Sequence, residues 1–160
     1  MFDNAREPST ERLSYLERVC DPVTIARLEK LGAKRIAFVR WTDAGLGEIH
    51  LVDGAGGRSR AITRQPGHYR RPRFSPDGSL LVFERTGDDT LTLPLWSTDP
   101  GLYTIPTAGG DMKRLTDKGR YGHFGAARDR VYYTEDASPA KESEPAHELV
   151  SVDLDGKDRR

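Results

Sequence analysis

Phe74-Ser75-Pro76-Asp77-Gly78-Ser79-Leu80-Leu81-Val82-Phe83 holds the strongest structural signal in the chain. Serine opens the tetrapeptide 75–78, proline sits where φ near −65° is wanted, and glycine closes it. That order favours a type I turn between antiparallel strands. The turn leads into a short run of branched and aromatic residues. Similar runs occur at 36–39, 48–52, 102–105, 130–133 and 149–152, each bounded by Gly, Pro, Asp or Ser. No helical period interrupts them from Lys34 onward, so the body of the protein is expected to be antiparallel β.

The runs repeat. A shift of 53 residues carries Ala55-Gly56-Gly57 onto Ala108-Gly109-Gly110, and Ile62-Thr63 onto Leu115-Thr116. A shift of 47 carries 102–105 onto 149–152 and Gly109 onto Gly156, and a shift of 50 carries Phe74 onto Phe124. A period near 50 signals a propeller or solenoid, whose units bury their faces against one another. In the middle unit, four strands are expected at 69–74, 79–85, 101–105 and 112–116. The first unit supplies three strands, and the third supplies three before Arg160, just short of a closing Leu-Thr. The expected fold is therefore all-β: a partial β-propeller of about three four-stranded antiparallel blades, the outer two incomplete. The blades fall at about 33–66, 67–118 and 119–160.

A short α-helical segment is expected at 1–32. Thr10 can cap a helix with Leu13, Leu16, Val19 and Cys20 on one face. Asp21-Pro22 can start a second, with Val23, Ile25, Leu28 and Leu31 as its stripe and Gly32 as its stop.

Phe74-Ser75-Pro76-Asp77-Gly78, then Leu81-Val82-Phe83, Gly101-Leu102-Tyr103-Thr104-Ile105-Pro106, Gly109-Gly110 and Arg114-Leu115-Thr116 resemble a TolB-type β-propeller repeat, also called WD40-like or PD40. The resemblance covers roughly 33–160. The Trp-Asp dipeptide of true WD40 repeats is absent, since Thr42 follows Trp41 and Ser97 follows Trp96, while Gly67-His68 and Gly122-His123 match the WD40 Gly-His. A closed propeller usually has four to eight blades, so the chain reads as part of a larger one.

Across 160 residues, 25 Lys+Arg balance 25 Asp+Glu. No excess of positive charge points to nucleic acid or anionic lipid. No apolar run reaches the roughly 18 residues of a membrane span, and residues 1–8 hold no apolar signal core, so neither insertion nor export is expected from the sequence itself. The single cysteine, Cys20, is expected to be a buried thiol on a helix stripe. His50, His68, His123 and His147 show neither His-x-His nor His-Glu-x-x-His spacing, and no Gly-x-Ser-x-Gly or phosphate loop is present. Neither catalytic residues, nor a metal site, nor a cofactor are expected.

The candidate binding residues fall in two groups. His68, Arg70, Arg71 and Arg73 run into a strand expected to border the central channel, where they can meet an anionic ligand or a peptide carboxylate, or pair with Asp77, Asp88 or Asp89. Strict alternation sends Arg71 and Arg73 to one face and Arg70 to the other; His123 joins this group in the next unit. Leu95 and Trp96 stand in the long connection 87–100, either folded back on the blade or offered to a partner. A second connection, 137–146, with Glu142 and Glu144, reads as solvated.

These features imply a non-catalytic module acting as a protein-binding or interdomain scaffold. Its partner would be another protein or another domain of a larger chain, with assembly of copies as a further route to a ring. The TolB-type resemblance implies an extracytoplasmic setting, and a cytoplasmic one follows if Met1 is the genuine start. The alternative is the amino-terminal propeller of a hydrolase with its catalytic residues elsewhere, prolyl-oligopeptidase-like or amidohydrolase-like. The spacing from Gly101 to Arg114 and the segment 121–125 resemble the amidohydrolase-fused propellers.

Overall fold

The structure is a computed structural model that describes residues 34–42, 46–54, 58–86, 99–136 and 147–160. The chain forms two compact units. Of the first, Met1–Ile36 with Asp53–Gly57, few residues are described, and in it the Gly54 amide donates to the Lys34 carbonyl at 2.9 Å. The second unit, Ala37–Val52 with Arg58–Arg160, carries the architecture that follows. The helical segment expected at 1–32 lies outside the described residues, among which no helix occurs.

Among the described residues ten strands follow in chain order: β1 (Arg35–Thr42), β2 (Leu46–Asp53), β3 (Arg60–Ala61), β4 (His68–Phe74), β5 (Leu80–Thr86), β6 (Gly101–Pro106), β7 (Lys113–Thr116), β8 (Arg120–Phe124), β9 (Arg130–Asp136) and β10 (His147–Asp153). They make three sheets, ordered β1-β2-β3, β4-β5-β6-β7 and β10-β9-β8. This is a partial propeller with one four-stranded blade between two three-stranded ones. The middle strands fall within a residue or so of their expected bounds, because hairpin chemistry sets strand ends more sharply than propensity does.

The turn 75–78 closes as its sequence requires. The Gly78 amide donates to the Ser75 carbonyl at 2.8 Å, with Gly78 at φ 69°, a conformation cheap only for glycine. Ser75 Oγ donates to Asp77 Oδ1 at 2.6 Å and accepts from the Leu80 amide at 2.9 Å. The hydroxyl of Ser75, then the amide of Ser79, hold the Asp77 carboxyl well below the usual carboxylate range.

Among the described residues two apolar cores lie between the blades. Ile49, Leu51 and Ile62 of the first blade pack with Tyr69, Leu81, Phe83, Tyr103 and Ile105 of the second. On the other side of the middle blade, Val82, Leu102 and Leu115 pack with Phe124, Val131, Tyr133, Val150 and Val152 of the third. Alternation along β5 explains the division: Leu81 and Phe83 face the preceding blade, and Val82 faces the following one. A strand buried on both faces reads as a continuous apolar run, as 80–83 does. Gly122 makes the second core possible, since a Cβ there would stand 2.5 Å from Leu102 Cδ1.

A polar latch accompanies each core. Arg60, opening β3, donates to the Thr107 and Ala108 carbonyls in the hairpin of the middle blade. Lys113, opening β7, pairs with Asp155 in the hairpin of the third blade. These cations are 53 residues apart and occupy the same place in successive repeats.

Candidate functional site

β4 and β8 are the first strands of their blades, and both break alternation at the same repeat position. Tyr69 and Arg70 pair with Arg85 and Glu84, but Arg73 and Phe74 pair with Val82 and Leu81, one residue out of register. The same slip separates Arg120↔Thr134 from His123↔Tyr132. Each bulge places a non-glycine residue in the left-handed region, Arg71 at φ 53° and Tyr121 at φ 60°. Such strained backbone persists only where surrounding contacts hold it.

The bulge corrects the expected alternation. Arg70 and Arg73 pair with Glu84 and Val82 and so share the face toward the third blade, with Arg71 displaced at the bulge between them. The extra residue inverts the parity of everything after it.

Glu84 holds the two bulges together. It is 4% exposed, its Oε2 accepting from Arg71 Nη1 at 2.7 Å and its Oε1 from the Tyr121 amide at 2.6 Å. The Arg71 guanidinium carbon stands 4.4 Å from the centroid of the Tyr121 ring, a cation–π contact between equivalent positions of two repeats. A buried carboxylate without donors would be costly, and these two supply its partners. Because both oxygens are engaged, Glu84 organises backbone and is not a free base. Beside it opens a cavity of about 650 Å³, lined by Arg70, Arg71, Glu84, Lys118, Arg120 and Tyr121 among others. Tyr121 is half-exposed and offers an aromatic face to an occupant.

The other candidates lie elsewhere. His68 packs at a tilt against Trp41, the ring centroids 4.8 Å apart. Arg73 is exposed at the far side of the bulge. His123, its counterpart in the next repeat, stacks on Tyr132 at 5.9 Å. Leu95 and Trp96 lie outside the described residues. The structure thus brings Arg70 and Arg71 to the cavity, together with Glu84 and Tyr121, neither of which was singled out from the sequence. A charged residue immediately after the apolar run 80–83 was the available signal for Glu84.

A second polar group sits on the first blade. His50 is 5% exposed, with Nε2 3.1 Å from Glu48 Oε2 and Nδ1 3.4 Å from Ser59 Oγ. Phe38 stacks on the imidazole at 5.6 Å. The long Ser59 contact and the aromatic cover fit a packed imidazole better than an activated nucleophile, for which a shorter hydrogen bond is wanted. Among the described residues there is no cluster of three or more His, Cys, Asp or Glu able to hold a metal, and no helix long and apolar enough to cross a membrane.

Neither known family models nor curated proteins match the chain. Among solved structures it is similar to one assigned to TolB in Agrobacterium tumefaciens, with TM-score 0.59 and 18% identity over 81% of this chain and 45% of that one. It is also similar to TolB from Acinetobacter baumannii, with TM-score 0.54 and 20% identity over 80% and 29% of the two chains. A chain of a nidogen–laminin complex gives TM-score 0.53 and 16% identity over 79% and 43%. At these identities the likeness concerns the fold, which is that of a TolB-type β-propeller. The chain spans less than half the length of each structure.

Proposed function

We propose that the chain is a non-catalytic propeller module that acts as a protein-binding or interdomain scaffold within a larger propeller. One observation carries this reading. Leu149 of β10 occupies the repeat position of Leu102 in β6, yet Leu149 is 69% exposed where Leu102 is 0%. Large apolar side chains at interblade positions are buried by the next blade, and among the described residues no blade covers this face.

The polar latch supports the same reading. Arg160 stands 47 residues after Lys113, at the place from which Arg60 and Lys113 reach into the following blade. It instead turns back on Asp158 at 2.8 Å. The cavity beside Glu84, where Arg70, Arg71, Lys118 and Arg120 stand among Asp117, Glu135 and Asp136, offers a second surface of mixed charge to a polar partner segment. From the resemblance alone we infer an extracytoplasmic setting. In the alternative, a hydrolase-associated propeller, the same open face meets the rest of the enzyme, and a downstream His-x-His or Gly-x-Ser-x-Gly motif distinguishes the two.

Light scattering after gel filtration of residues 1–160 tests the reading. An open interblade face predicts self-association at tens of micromolar protein, reduced by Leu149→Lys. A monodisperse monomer, identical for both proteins, contradicts it.

A further inference from the structure

The seams on the two sides of the middle blade are covered differently at one end, and both lie between blades that the chain itself supplies. Equivalent ring pairs set the comparison. The centroids of Phe38 and His50 stack 5.6 Å apart in the first blade, as those of Phe83 and Tyr103 do at 6.0 Å in the middle one. A shift of 45 residues therefore carries β1 onto β5 and places Trp41 on Thr86. The shift of 50 that relates β4 to β8 places His68 on Lys118.

The first seam is covered by the Trp41 ring, which packs against His68 across the blades. The ring lies so close to Gly47 that a Cβ there would stand 3.3 Å from Trp41 Cε3. In the second seam the same two places hold Thr86 and Lys118, and there the cavity of about 650 Å³ opens. A methyl and a hydroxyl stand where an indole stands one blade earlier.

The wall suits a neutral ring better than an ion. Each acid named in it already has a basic partner: Glu84 has Arg71, Asp117 has Arg114 at 4.0 Å, Glu135 has Arg159 at 2.8 Å, and Asp136 has His147 at 3.1 Å. A ring disturbs none of these pairs. The half-exposed Tyr121 and the Lys118 ammonium supply an aromatic face and a cation, both of which favour an inserted indole.

We propose that the cavity between the middle and third blades is an anchor site for a tryptophan side chain of a partner protein, seated beside Thr86 as Trp41 is seated in the first seam. This deepens the scaffold reading, on which it rests, by naming the residue that a partner segment inserts.

The test titrates N-acetyl-tryptophanamide into the full chain and follows backbone amides by NMR. Saturable shifts are expected at Thr86, Lys118 and Tyr121, with Gly67 and His68 unmoved, and N-acetyl-leucinamide should bind roughly fivefold more weakly. Thr86→Trp copies the first seam onto the second and should abolish the shifts. Trp41→Thr makes the converse change and should open a second site, read as new saturable shifts at Gly67 and His68. Unchanged amide positions in β6 show that each variant keeps its fold.

Equal binding of the two compounds, no saturation with either, or binding unaltered by a folded Thr86→Trp overturns the proposal. If Thr86→Trp loses the β6 pattern, Trp41→Thr decides, and the absence of new shifts at His68 overturns it. Binding seen only after Trp96→Ala would make the chain's own connection 87–98 the occupant and overturn the assignment to a partner. Light scattering reads self-association separately, so failure of the scaffold reading and failure of the anchor site are distinguishable.

Discussion

The middle and third blades are built from the same repeat, yet they bury their strands differently. β5 is buried from Leu81 to Arg85 and β6 from Gly101 to Ile105, whereas β9 alternates between buried and partly exposed positions and β10 begins with three exposed residues. The difference is one of neighbours. The middle blade has an apolar core on each face, and among the described residues the third has one only on the face toward the middle blade. Leu102 and Leu149 show that one repeat position can carry a buried core residue or an exposed one, according to what stands beside it.

The comparison breaks most readily at its strongest point. Leu102→Ala removes a fully buried side chain and should cost about 2–5 kcal/mol, read as a lower urea midpoint. The matched change Leu149→Ala should stay within about 0.5 kcal/mol, since its side chain is already in water. Similar losses at both positions would remove the distinction between the blades.

Glu84→Ala should come next, at about 1–3 kcal/mol, because the Tyr121 amide and Arg71 lose their acceptor. Equilibrium unfolding gives the cost. The NMR shifts of Tyr121 and Arg71 should move together in the variant, and independent movement would separate the two bulges. Gly122→Ala sharpens the same seam from the third blade. A Cβ 2.5 Å from Leu102 Cδ1 forces repacking worth about 1–3 kcal/mol, measurable as a lower thermal midpoint.

The smallest effect concerns pH. Asp77 titrates below its usual value of 3.8 in the folded chain, so the stability it contributes is complete above that value and is lost as pH falls through the lowered one. The bond from Arg128 Nη1 to Asp77 Oδ2 at 2.9 Å joins the middle and third blades and should weaken with it. Asp77→Asn should therefore flatten the decline in urea midpoint below pH 4. An unchanged slope would show that Asp77 is not the group responsible.

Strand positions were legible because Ser75-Pro76-Asp77-Gly78 and the paired glycines act locally, within the few residues that form each turn. The bulges were not, because nothing in Arg71 or Tyr121 marks a residue for positive φ. Their conformation is held by Glu84, which meets Arg71 within the middle blade and the Tyr121 amide across blades, 13 and 37 residues away in sequence. Alternation applied to Arg70, Arg71 and Arg73 failed for the same reason: periodicity assumes an unbroken ladder, and one inserted residue resets it. Leu149 looked like any strand leucine, and only the structure shows it exposed where its repeat counterpart Leu102 is buried.

Amide hydrogen exchange on the unmodified chain tests the central claim most directly, that burial between blades sets the order of stability. The account predicts that the slowest amides lie in β5 and β6, and that those of β10 exchange at least roughly 100-fold faster in dilute protein. Uniform protection across the middle and third blades would contradict it.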